Sequence, residues 1–177
     1  NLARLLGQLI EQKNISLEII VVDGGSKDNT TLRAAEYGAR VIFSGRGRGR
    51  QQNAGAAEAT GEYLLFLHAD SRLEHGCQLS ESFSWIEQAE RRTAGHFRLR
   101  FETDNVAVRE RLRLFEYKTQ LNREGTFSGD QGLLCRLYTA DAADEVVAAV
   151  PGGHRILTLT MKCHISTSLI VVFFIRS

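Results

Sequence analysis

Two apolar runs of the chain end on a carboxylate. EIIVVDGGSKDNT, residues 18 to 30, closes on Asp23, and EYLLFLHADS, residues 62 to 71, closes on Asp70. An aspartate just past a buried strand is either a turn or cap residue or a group held out for a ligand. In an open parallel α/β sheet, ligands bind in the crevice beyond the carboxyl ends of the strands. Two carboxylates that both follow strand ends would therefore face one crevice, provided the strands lie near each other. Gly24 and Gly25 leave room for a ring or a ribose to approach the backbone. A lone carboxylate at such an edge suits Mg²⁺ or Mn²⁺ carrying a diphosphate, because water and phosphate oxygens fill the other positions of a hard cation. His68, two residues before Asp70, reads either as a further ligand or as a structural residue at a strand end.

Between the carboxylates lies SGRGRGRQQNAGA, residues 44 to 56. It brings Arg46, Arg48 and Arg50 on a glycine-rich backbone to the start of a helix, an arrangement that suits phosphate by charge and by free N–H groups. Its bland reading is a solvated loop. The spacing G-x-G-x-G matches neither the dinucleotide fingerprint nor the P-loop.

The elements that must position these residues follow from periodicity. Asn1 is placed to cap a helix with Leu2, Leu5, Leu6, Leu9 and Ile10 on one stripe. Ile19 to Val22 read as a strand buried on both faces. Residues 26 to 40 read as a capped helix ending at Gly38, followed by the strand RVIF. A helix through QQNAGAAEA and a strand from Tyr63 to Leu67 complete an alternation typical of a parallel α/β sheet. Farther on, residues 75 to 91 are predicted as an amphipathic helix with Leu79, Phe83 and Ile86 inward. HFRLRFE reads as a half-exposed, antiparallel strand with His96, Arg98 and Arg100 on its solvated face. Asp104 is placed to cap a helix with Val108, Leu112 and Phe115 inward. GDQGLLCRL reads as a loop into a strand in which Cys135 packs in the core, and residues 139 to 150 as a helix.

Composition narrows the classes. The 177 residues are 43% hydrophobic and 24% charged, enough for one domain with a core. A formal net charge of +1 argues against a nucleic-acid partner held by counterion release, and RGRGR without aromatic partners is thin support for RNA binding. Three widely spaced cysteines, Cys77, Cys135 and Cys163, fit reduced thiols in a cytoplasmic protein. The run LIVVFFI, residues 169 to 175, is too short to span a bilayer. That predicts no transmembrane segment and leaves peripheral membrane association open.

Five blocks, EIIVVDGGSKDNT, GRGRGRQQNAGA, GEYLLFLHADS, GHFRLRF and GDQGLLCR, follow one another as in family 2 glycosyltransferases with the GT-A fold. They most resemble a bacterial branch whose metal motif is His-Ala-Asp. The resemblance covers residues 1 to 153. It implies a Rossmann-like, mostly parallel sheet flanked by helices, and inverting transfer of a sugar from a nucleotide-diphosphate sugar to an acceptor that the sequence does not identify. It also implies that Asp23 contacts the nucleoside, that Arg50 and Asn53 line the donor pocket, and that Asp70 binds the Mg²⁺ or Mn²⁺ that neutralises the diphosphate.

Two departures accompany the resemblance. The family's first strand is lacking, and its place is between the strands ending at Asp23 and Asp70. After Gly152 and Gly153 the family carries an acidic pair, one acid of which is the general base. Here residues 154 to 177 contain no acid. That tail reads as out-of-frame sequence or as a last strand, whose apolar residues could fill the gap. The catalytic base is thus unassigned; Asp130, in the Gly-Asp-Gln loop, is a candidate for it or for a group supporting the acceptor. The alternative function is a nucleotide-binding remnant without transferase activity.

Overall fold

The computed structural model describes residues 1–88, 94–120, 132–136, 156–162 and 169–176. The elements run α1 (Leu2–Ile10), β1 (Ser16–Asp23), α2 (Thr30–Glu36), β2 (Arg40–Phe43), α3 (Arg48–Ala57), β3 (Tyr63–His68), β4 (Ser71–Arg72), α4 (Gln78–Gln88), β5 (Ala94–Glu102), α5 (Val106–Gln120), β6 (Leu133–Arg136), β7 (Ile156–Lys162) and β8 (Leu169–Arg176). They build one eight-stranded sheet in the order β2-β1-β8-β3-β6-β5-β7-β4. β1 and β2 are parallel, while β8 is antiparallel to both β1 and β3. Hence β1, β2 and β3 all run the same way and end at one edge.

The gap expected between the strands bearing the two aspartates is occupied by β8. Its residues pair with β1 from Ser16↔Arg176 to Asp23↔Leu169, and with β3 from Tyr63↔Ile175 to His68↔Ile170. An all-apolar run suits a central strand, where both faces are covered and alternation is lost. β7 likewise joins the sheet, parallel to β5 and antiparallel to β4. Residues 139 to 150, expected to be helical, lie outside the described residues.

Two apolar layers hold the sheet. On one face, Leu2, Leu5, Leu6 and Leu9 of α1 pack with Val21, Leu65, Leu67, Leu79, Ile86 and Phe97. On the other, Ile20, Val22, Leu64, Phe66 and Cys135 pack with Ala54 and Ala56 of α3. Each fully buried leucine contributes about 1.5–3 kcal/mol. Burial pushes the Cys135 thiol up to about 12, as expected of a core cysteine. Among the described residues no helix is long and apolar enough to cross a membrane.

Several expectations are corrected. Ile10 is 57% exposed because α1 ends there, and Asn1 makes no side-chain cap. α2 starts at Thr30, several residues later than predicted, since the preceding polar residues form the turn after Asp23. His96 is only 5% exposed, whereas Arg98 is partly buried and Arg100 exposed, so the solvated face of β5 is confined to its later residues. The α5 cap is Asn105, whose Oδ1 accepts from Val108 N–H at 3.2 Å, rather than Asp104. Val108 and Phe115 of α5 are exposed, although the Phe115 ring meets Phe101 edge-on at 6.1 Å.

Candidate functional site

The carboxyl edge of β1, β2 and β3 carries most of the residues singled out in the sequence. Asp23 ends β1 opposite Phe43, which ends β2. Leu169 and Ile170 of β8 stand beside Asp23 and His68, so β1 and β3 stop at nearly the same level. With one strand between them, their ends are about 10 Å apart. The loops at 24–29, 44–47 and 69–70 therefore border one edge, as the two-aspartate argument requires.

Asp23 is 2% exposed. Both carboxylate oxygens accept from Ser26 N–H, at 3.0 and 3.1 Å, and Oδ1 also accepts from the Ser26 hydroxyl at 2.5 Å. The side chain thus closes the turn that follows β1, so the bland reading of Asp23 is correct locally. It does not exclude the sharper one, because a carboxylate has about four lone-pair sites. Spacing alone, serine three residues after aspartate, could have signalled the turn.

The glycines divide. Gly25 has φ of +99°, and a Cβ there would meet nothing within 4 Å, so this position is open. At Gly24 the room is taken from within. A Cβ would stand 2.8 Å from Nε2 of Gln51, a fully buried side chain that donates to the Val22 carbonyl at 3.1 Å. Gln51 thus ties the first turn of α3 to the end of β1; sequence reasoning missed it, since a glutamine in a helix has no periodic or motif signal. Gly24→Ala is expected to cost about 1–3 kcal/mol by overpacking. In urea melts of the single and double variants, the Gly24→Ala penalty should shrink when Gln51 is already alanine.

The arginine loop is shorter than predicted. α3 begins at Arg48, so Arg48 and Arg50 lie in its first turn, preceded by Gly47 with φ of +136°. Arg50 folds back over the loop: its Nη1 lies 3.6 Å from where a Cβ on Gly45 would stand. Arg50 and Asn53 are exposed and one helical turn apart. Cations in a first turn oppose the helix dipole by about 0.3–1 kcal/mol each, an unfavourable arrangement that a bound anion would reverse.

Asp70 is half-buried in the turn between β3 and β4, as is His68 at the end of β3. The chain that follows is stapled to α1. Gln8 Nε2 donates to the Leu73 carbonyl at 2.9 Å and Gln8 Oε1 accepts from Leu73 N–H at 3.2 Å. Gln12 Nε2 donates to the His75 carbonyl at 3.0 Å, and its Oε1 accepts from Leu79 N–H at 3.0 Å. Among the described residues no three His, Cys, Asp or Glu side chains gather as a metal cage. A half-exposed carboxylate on a stiff turn nevertheless fits an ion that takes its remaining oxygens from water and phosphate. Asp130 lies outside the described residues.

Residues 1–147 match the family model described as glycosyl transferase family 2. An uncharacterised glycosyltransferase of Nostoc sp. (strain PCC 7120 / SAG 25.82 / UTEX 2576) is 37% identical over 76 residues, which cover 39% of this chain and 24% of that protein. Two crystal structures of glucosyl-3-phosphoglycerate synthase from Mycobacterium tuberculosis share the fold. One, in complex with Mn²⁺, uridine diphosphate and glucosyl-3-phosphoglycerate, has a TM-score of 0.54 at 15% identity, covering 94% of this chain and 68% of its own. Another has a TM-score of 0.51 at 17% identity, covering 84% and 61%. The chain thus spans about a quarter of the Nostoc protein and about two thirds of the synthase.

Proposed function

This chain belongs to glycosyl transferase family 2, and on that premise we propose that it transfers a sugar, with inversion, from a nucleotide-diphosphate donor to an acceptor hydroxyl. The observation that carries the reading is the meeting of Asp23, the arginine-bearing start of α3 and the Asp70 turn at one sheet edge. Asp23, with the open position at Gly25, takes the nucleoside side of the donor. Arg50 and Asn53 take its diphosphate side, where the unfavourable charge of the α3 first turn is neutralised.

Asp70 is the residue that would hold Mg²⁺ or Mn²⁺, and such an ion supplies the charge that lets the diphosphate leave. The mycobacterial synthase was crystallised with Mn²⁺ and uridine diphosphate, which supports a divalent ion there. The acceptor is left open; a cytoplasmic site of action, with or without peripheral membrane contact, belongs to the same proposal.

A second reading has its own observation. From residue 154 to 177 the sequence has no carboxylate to act as base, which favours nucleotide binding without transfer. One experiment separates the two. Uridine and guanosine diphosphates are added with Mn²⁺ or with chelator while melting is followed, and nucleotide release from the corresponding sugar donors is assayed in parallel. Metal-dependent stabilisation with turnover supports transfer; stabilisation without turnover supports the binding remnant. Equal melting with ion and with chelator counts against both the metal and the donor site.

A further inference from the structure

The end of β2 carries a side chain that the core does not use. Phe43 is 75% exposed, although a phenyl ring gains more from burial than almost any other group. Two residues back on each strand, Val21 and Val41 enter the same apolar layer. Alternation then puts Asp23 and Phe43, which are register partners, on that same face at the carboxyl edge. Ser44 N–H donates to the Asp23 carbonyl at 2.9 Å, extending the pairing one step past the strand and fixing the ring beside the carboxylate. Among the described residues β2 is also the outermost strand of the sheet, so no described strand lies beyond the ring.

We infer that Phe43 is the platform on which the base of a nucleoside diphosphate stacks, beside the sugar or base edge held at Asp23. The assignment rests on the donor-binding reading and adds to it a residue that no motif marks. Every base has a π-face, so a stacking platform sets affinity without choosing the base. The choice among bases falls to groups that meet the base edge. An open shelf at the rim of the sheet accepts one ring or two.

The test is calorimetric titration of the chain and its Phe43→Ala and Phe43→Tyr variants with uridine diphosphate, guanosine diphosphate and inorganic pyrophosphate, all with Mn²⁺ present. The expected result for Phe43→Ala is about tenfold weaker binding of whichever nucleotides the parent binds, by a similar factor for each. Pyrophosphate affinity should be unchanged, and Phe43→Tyr should bind nucleotides as the parent does. Unchanged nucleotide affinity in Phe43→Ala would overturn the assignment while leaving the donor site standing. An equal loss for pyrophosphate would also overturn it, since the ring would then be shaping the loop. A parent chain that binds pyrophosphate but no nucleotide would refute base stacking, and one that binds none of the three would remove the donor-site reading as well.

Discussion

Asp70→Ala is expected to abolish the stabilisation that a nucleoside diphosphate gives in the presence of Mn²⁺, and to lower any sugar transfer on the order of a hundredfold or more. A ligand at a hundred times its dissociation constant stabilises by about 2.7 kcal/mol, which for a chain of this size raises the melting temperature by roughly 5–10 °C. The parent should show that shift and lose it with chelator; the variant should show none in either condition. The folded state should tolerate the change, because Asp70 is half-exposed in a turn and the segment after it is held independently by Gln8 and Gln12. Without ligand the variant should therefore melt within about 1 kcal/mol of the parent. Asp70→Asn keeps the shape and removes the charge, so it should behave like alanine if the role is ionic. A variant that still responds to nucleotide plus metal would place the ion elsewhere.

The strands that carry the aspartates were legible because they leave the strongest signal. Ile19 to Val22 and Tyr63 to Leu67 are short apolar runs without alternation, and both are buried strands. Signals that depend on a neighbour were weaker. His96 alternates with Phe97 and Leu99 just as the exposed Arg100 does, yet it is only 5% exposed. α3 begins inside RGRGR, where glycine and charge disguise a helical turn whose arginines face no acid in that turn. Asp104 and Asn105 are both good caps, and only backbone geometry chooses Asn105.

The site shows the same division. Asp23, Gly25 and Asp70 stand out in the sequence by residue type and position, Arg50 and Asn53 as donor-pocket residues through the family resemblance, and the elements that bear all five lie at one edge. Gln51 and the Gln8–Gln12 staple were not found, since a neutral amide on a helix looks like any solvated residue. Their work is to satisfy carbonyl and N–H groups of distant loops, a contact made only in three dimensions. In the sequence Phe43 is only the last residue of a strand; its exposure is what sets it apart.

Val172→Pro should be the most damaging single change to the fold. Val172 lies in the middle of β8, paired with Ile20 of β1 on one side and Phe66 of β3 on the other. Proline there removes a ladder N–H and introduces a ring that a central strand does not accommodate, at a cost of about 3 kcal/mol or more. The consequence reaches the site, because among the described residues β8 is the one strand between the ends that carry Asp23 and Asp70. Loss of its pairing frees two interior strands whose residues Ile20, Val21, Val22, Leu64 and Leu65 are fully buried, leaving edges that invite aggregation. The expected result is a melting temperature lower by about 6 °C or more, or insoluble protein, while Val172→Ile, which keeps the N–H and the β-branch, melts close to the parent. Should Val172→Pro melt like the parent, β8 would not be the strand that joins the two halves of the donor edge. The sheet would then have to reach Asp70 by another route.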